Sequence, residues 1–277
     1  MIYLNCEVKS GLGEDTFWTW FEREFPDSKF EEPTVLNNDD IVLRYSTLGF
    51  LPIPGKQVAI CWELYPQMKK FFQTEMWNIK LDKIYEAAMY ATYRTVATLE
   101  SVSDYSKYGT VDVIPIGVDT ELFCPMNSKN ALRRRYNIPC DKKVGVWVGT
   151  CHPMKGYSAL LQYAATNPDI FWIVIWKWQP EALPLVGAKN FIKISQQQIA
   201  ELINCGDFFL STNRLGSYFM SEWEAMSCNI PFVIIENFPR EFYPSTQPRD
   251  DVFAMRWDRY SVKQAWTNFL VARGVEW

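Results

Sequence analysis

Between Gly149 and Gly156 the chain reads GTCHPMKG, a stretch that holds its one histidine, His152, and a lysine, Lys155. The apolar run KVGVWV before it reads as a strand. After it, Tyr157, Leu160, Leu161 and Ala164 recur at the spacing of one helical face, so a helix is expected to begin close to Lys155. The first turn of a helix presents unpaired N–H groups and a partial positive charge, and a lysine beside it adds a full one. Together they suit an anion of the phosphate or diphosphate type.

A second stretch, residues 211–234, reads STNRLGSYFMSEWEAMSCNIPFVI. A strand runs into a Gly-Ser turn, and Phe219, Trp223 and Met226 then mark a buried helical face. Asn229, just before Ile230-Pro231, suits a left-handed stop. Glu222 and Glu224 point away from the apolar stripe. A carboxylate in the first turns of such a helix can accept bonds from the vicinal hydroxyls of a ribose. In a third stretch, SGLGED, Gly11 and Gly13 permit close backbone approach to a ligand, with Asp15 or Thr16 as a helix cap. Each feature also has a plain alternative: a solvated lysine at a turn, a carboxylate facing water that complements a helix dipole, and a simple Gly-x-Gly turn.

The elements that must position these loops alternate β-rich runs with helical stretches, the pattern of parallel α/β layers. Expected strands are IYLNCEV, DIVLRYS, QVAICWE, TVATLE and VDVIPIG in the first half, and KVGVWVGT, IFWIVIW, NFIKIS, DFFLSTN and PFVIIEN in the second. Expected helices are FWTWFEREF, Lys80 to Arg94, YSALLQYAA, QQQIAELINC, FMSEWEAMSC and SVKQAWTNFLVARG. The organisation read from this is a domain over 1–120, a second over 121–250, and a C-terminal helix over 251–277 that returns to the first. Ligands of doubly wound sheets bind beyond the carboxyl ends of the strands, so strand-to-helix loops are where chemistry is sought.

Composition narrows the classes. In 277 residues, 48% are hydrophobic and 22% charged, with 12 Trp, 14 Tyr and 18 Phe, enough to bury a core and unlike a disordered chain. The net charge of −4 is uneven: residues 1–118 carry 11 Lys and Arg against 17 Asp and Glu, while 119–277 carry 17 against 15. A strongly polyanionic partner is not announced. The start, MIYLNCEVKSG, lacks the basic and long apolar regions of a signal peptide, and no apolar run reaches the roughly 18 residues of a membrane span; a cytoplasmic protein without a transmembrane anchor is expected. Seven scattered cysteines without a CxxC pair read as reduced, mostly buried thiols. With His152 alone, and no DxD pair, no metal site is expected.

Taken in order, these stretches resemble the GT4-type retaining, nucleotide-sugar-dependent glycosyltransferases of the GT-B fold, in which two Rossmann-like doubly wound parallel-sheet domains face a cleft. VIPIGVDTELFCP (113–125) is similar to the family's interdomain segment IPNGVDxxxF, and ESVSDYSKYG to the segment before it. GTCHPMKGYSALL is similar to the donor loop G-R-x(4)-KG, and SEWEAMSCNIPFV to the helix LEAMACGxPVV. The resemblance runs over about residues 95–235. It implies that Lys155 binds the donor diphosphate and stabilises the departing charge, and that Glu224 holds the donor ribose as the second glutamate of E-x7-E. Backbone N–H groups around Ser217, Tyr218, Phe219 and Met220 would cap the phosphates or the sugar, with Gly149 and His152 beside the donor. Two positions depart: Thr150 stands where the family has an arginine, and Gly216 where it has the first glutamate. Arg214 is then a candidate to share the phosphate charge. In AICWELYP, Cys61-Trp62-Glu63 occupies the place of the family's histidine, which makes Glu63 the candidate polar group at the acceptor.

The implied activity is metal-independent, cofactor-free transfer of a hexosyl or pentosyl group, with retention, from a nucleotide-diphosphate sugar to a hydroxyl. UDP-sugars are the family's commonest donors. The acceptor expected is a glycan or other small molecule. The compact length also resembles phage and viral transferases, some of which glycosylate hydroxymethylated DNA; Lys69, Lys70, Lys80 and Lys83 near Phe71, Phe72 and Trp77 are what a nucleic acid would meet. Against that stands the acidic balance of the same half. A non-catalytic nucleotide-sugar binder, or an epimerase or phosphorylase on the same fold, stays open. Neither the sugar, the base nor the oligomeric state is written in the sequence.

Overall fold

The computed structural model describes residues 1–5, 13–62, 75–151, 155–177, 185, 187–213, 219–235 and 246–275, and of residues 13–15, 76 and 77 the backbone alone. The described residues form two compact units, one from Met1–Gly117 with Tyr260–Trp277, the other from Val118–Leu215 with Phe219–Arg259.

The first unit contains β1 (Ile2–Asn5), α1 (Gly13–Glu24), β2 (Ser28–Phe30), β3 (Ile41–Tyr45), β4 (Lys56–Cys61), α2 (Glu75–Tyr90), β5 (Tyr93–Val96), the short α3 (Val102–Tyr105) and β6 (Val111–Val113). Its strands form one parallel sheet in the order β2-β1-β3-β4-β5-β6. The expected helix from Lys80 to Arg94 instead spans Glu75–Tyr90, and Arg94 lies in β5. The reason is capping: buried Arg94 donates to the carbonyls of Ala88, Met89 and Ala91, the orphan acceptors at the end of α2. The core is aromatic. Phe17 meets Trp62 edge-on at 5.0 Å, Phe21 stacks on Phe25 at 4.2 Å, and Trp266 meets Phe21 at 5.4 Å. Trp266 belongs to the last helix, of which Lys263 also pairs with Glu24 at 2.9 Å.

The second unit contains α4 (Lys129–Arg135), β7 (Val144–Gly149), α5 (Tyr157–Thr166), β8 (Phe171–Trp176), β9 (Lys189–Ile192), α6 (Gln196–Asn204), β10 (Phe208–Ser211), α7 (Met220–Ser227), β11 (Phe232–Ile234) and α8 (Pro248–Ala254); α9 (Arg259–Val271) follows and, from Tyr260, belongs to the first unit. The sheet is parallel, ordered β11-β10-β7-β8-β9. The expected strand NFIKIS stops at Ile192 because Lys193 takes a left-handed φ of 52°. Trp147, Tyr157, Trp172, Trp176, Phe208 and Leu210 pack on one another as the core. Strand order matters for function here: β7 has β8 on one side and β10 on the other, so the sheet's order reverses at the β7/β10 boundary. The carboxyl ends of β7 and β10, at that boundary, are where doubly wound sheets take ligands in a crevice.

Among the described residues, no helix is long and apolar enough to cross a membrane, and no group of three or more His, Cys, Asp and Glu is placed to hold a metal ion. Cys61, Cys124, Cys140, Cys151, Cys205 and Cys228 are free thiols. Cys140 is exposed and Cys124 and Cys151 half-buried, so burial is less general than expected; where it occurs, at Cys61, Cys205 and Cys228, it pushes the thiols up, to about 12 for the first two, and leaves them unreactive.

Candidate active site

The site is built on the loops after β7 and β10. Strand β7 ends in Gly149, whose carbonyl accepts from the Lys177 N–H at 3.1 Å, and the chain then turns through buried Thr150. It re-emerges at Lys155 and Gly156. Gly156 takes a left-handed φ of 63° and caps α5, and its carbonyl accepts from the N–H of Ala159 at 2.9 Å. Only glycine fits there: a Cβ would stand 2.0 Å from the carbonyl oxygen of Thr212.

Thr212, one residue beyond β10, fastens the two loops together. Its hydroxyl donates to the carbonyl of Lys155 at 2.6 Å and accepts from the indole N–H of Trp147 at 2.8 Å. Trp147 is itself wedged against Tyr157 and Trp176. The rigid aromatic core of the unit thus fixes the backbone of Lys155 through one hydroxyl. The Lys155 ammonium sits 4.4 Å from the centre of the Phe219 ring, at the N-cap of α7, so the lysine is aimed towards the start of that helix.

Helix α7 begins at Met220 and is buried from Ser221 to Ser227, not only along its apolar stripe. It ends as expected, with Asn229 left-handed at φ 56° and its N–H donating to Met226 O at 2.8 Å. The outward-facing reading of the two glutamates is corrected: Glu222 is 7% and Glu224 1% exposed. Their environments differ. Glu222 accepts from the Ser211 hydroxyl and the Asn213 amide, which locks the end of β10 to the first turn of α7. Glu224 Oε2, fully buried, has no hydrogen-bond partner among the described residues. Burial raises the pKa of Glu224, while Lys177, Arg259 and Lys155 pull it the other way.

Of the sequence-predicted residues, Gly149, Thr150, Lys155, Phe219, Met220 and Glu224 are brought to the β7/β10 crevice; Thr150 is 4% exposed and so part of the wall. Glu63, Gly11, His152, Arg214, Gly216, Ser217 and Tyr218 lie outside the described residues, as do Lys69, Lys70, Phe71 and Phe72; of Gly13 and Trp77 the backbone is described, in α1 and α2. Ser211, Thr212, Asn213 and Lys177 were not anticipated. A signal was present for three of them: the run Ser-Thr-Asn leaving a buried strand is polar where the strand's apolar pattern stops.

Comparison with known proteins bears on the fold. No family model matches the sequence. A D-inositol 3-phosphate glycosyltransferase from Mycolicibacterium smegmatis is 24% identical over 139 residues, which are 44% of this chain and 31% of that protein. Among solved structures, sucrose-phosphate synthase from Thermosynechococcus elongatus aligns over 99% of this chain and 97% of its own, at 12% identity and a TM-score of 0.66. Anabaena HepE in complex with UDP aligns over 98% and 99%, at 13% identity and a TM-score of 0.67. WaaG, a glycosyltransferase of lipopolysaccharide biosynthesis, aligns over 99% and 95%, at 11% identity and a TM-score of 0.65. The fold is that of the GT-B glycosyltransferases, two parallel-sheet α/β domains.

Proposed function

We propose that the chain is a glycosyltransferase that takes its sugar from a nucleotide-diphosphate donor held by the second unit, with the acceptor carried by the first. The observation that supports this best is Glu224: a carboxylate buried in the wall of the β7/β10 crevice, with Oε2 lacking any donor among the described residues and cations acting on it. An unpartnered buried carboxylate is costly, of the order of 1–3 kcal/mol or more, unless a ligand supplies the missing donors. The vicinal hydroxyls of a ribose are such donors. Lys155, anchored by Thr212 and beside the starts of α5 and α7, is then set to meet the diphosphate.

In the reaction, the acceptor hydroxyl oxygen bonds to the anomeric carbon as the carbon–oxygen bond to the diphosphate breaks. The departing nucleoside diphosphate keeps the electron pair, and its phosphate oxygen takes the proton that the acceptor hydroxyl loses. Lys155 and the helix-terminal N–H groups stabilise the charge that builds on the leaving group, which is the term that lowers the barrier most in such sites. On this reading the charge is met by protein groups rather than a metal ion or cofactor, and transfer proceeds with retention by front-face attack. UDP complexes of HepE support a uracil-type donor. The solved neighbours and the D-inositol 3-phosphate enzyme favour a glycan or small hydroxylic acceptor over hydroxymethylated DNA.

Calorimetric titration with UDP, GDP and ADP tests the donor. Micromolar to millimolar binding of one of them is expected, weakened in Glu224→Gln for the nucleoside as well as the diphosphate. Absence of binding to all would remove the proposal. Salt-sensitive binding to hydroxymethylated DNA, absent for the unmodified duplex, would move the acceptor to nucleic acid.

A further inference from the structure

The loop after β7 presents buried, uncharged Thr150 immediately after Gly149. A diphosphate facing that loop needs more than one positive charge. The parallel register pairs Gly149 of β7 with Trp176 of β8, and the N–H of Lys177 donates to Gly149 O at 3.1 Å, so Lys177 stands beside Thr150 on the neighbouring strand end. Adjacent strands run about 4.8 Å apart. Trp147 and Trp176 lie on the α5 face of the sheet, where they touch Tyr157. By the alternation of side chains Lys177 leaves on the opposite face, together with Thr150. It is half-buried, at the carboxyl edge where ligands enter.

We propose that Lys177 is a second donor-binding cation, supplying from β8 the charge that residue 150 does not carry on β7. This rests on the donor reading above and adds a residue to it. Lys177, Arg259 and Lys155 all act on the Glu224 carboxyl, each favouring its charged form. Arg259 is committed to Asp119 at 2.9 Å and is already neutralised there. Lys155 and Lys177 would then clamp the diphosphate between two loops, each lysine fixed by its backbone: Lys155 through Thr212, Lys177 through Gly149.

Calorimetry with the best bound nucleoside diphosphate, its monophosphate and its nucleoside separates the possibilities. For Lys177→Ala, diphosphate affinity should fall about tenfold or more, the loss expected for one charge-assisted bond, with nucleoside affinity unchanged. Lys177→Arg should retain most of it, and Lys177→Gln, which keeps the stem, should behave as Lys177→Ala should either fold poorly. An equal loss for all three ligands would mean that Lys177 acts only through Glu224 and would overturn the assignment, as would unchanged diphosphate binding. If the wild-type chain binds no nucleoside diphosphate, the donor reading fails and this one with it; if it binds and only the lysine variants are silent, the donor reading stands alone.

Discussion

A Cβ on Gly156 would lie 2.0 Å from the carbonyl oxygen of Thr212, so the β7–α5 loop and the end of β10 meet backbone to backbone. Gly156→Ala must therefore break either the left-handed cap or the meeting. Left-handed strain and forced displacement together cost about 2 kcal/mol or more. Thermal denaturation should show a fall in melting temperature of roughly 4–8 °C, with loss of nucleoside diphosphate binding.

Thr212→Val removes the hydroxyl that links Trp147 to Lys155 while keeping its shape. A loss of about 1–3 kcal/mol in chemical denaturation is expected, since an indole N–H and a carbonyl are left without their partner. Because Lys155 is positioned through this bond, diphosphate affinity should weaken and nucleoside affinity hold. Equal weakening of both would mean that the hydroxyl supports the wall as a whole.

The strands with dense β-branched and aromatic residues, KVGVWV and IFWIVIW above all, were legible because a fully buried parallel strand has to be apolar on both faces. Ser28–Phe30 was not, being three residues with no such pattern, nor was Lys129–Arg135, whose sequence KNALRRR has no apolar face. Its helix is held instead by Arg133, which reaches Asp207 at 2.8 Å, 74 positions away. The β7–α5 loop was legible as strand, glycine, lysine and helix start. What fastens it was not, because Trp147 and Thr212 are 65 positions apart and nothing local couples them. The two glutamates of α7 looked alike for the same reason: only the fold brings Ser211 and Asn213 to Glu222 and leaves Glu224 Oε2 without a hydrogen-bond donor among the described residues.

That difference gives opposite expectations for stability. Glu222→Ala strips two buried donors of their acceptor and should cost about 2–4 kcal/mol in denaturant unfolding. An effect below about 0.5 kcal/mol would show that the pairing of β10 and α7 does not depend on it.

For Glu224 the pH dependence follows from its raised pKa. The fold favours the protonated carboxyl, so the stability this group contributes is present below its ordinary pKa of about 4.3 and is lost as pH rises through the raised value. Glu224→Gln abolishes that loss. Its melting temperature should equal or exceed the wild type at pH 8, with a smaller gain at pH 5, while nucleoside affinity drops several-fold. A variant less stable than wild type at pH 8 would contradict the picture of an orphan carboxylate retained for a ligand.

The central claim is that Lys155 drives departure of a nucleoside diphosphate, and radiolabelled nucleotide sugars test it without knowledge of the acceptor, since a transferase hydrolyses its donor slowly. Wild-type protein should release nucleoside diphosphate from one of a panel of UDP-, GDP- and ADP-sugars. Lys155→Ala should release it about 10²–10³-fold more slowly, at an unchanged melting temperature. Release by Lys155→Ala at close to the wild-type rate, or no release by the wild type from any donor, would contradict the account.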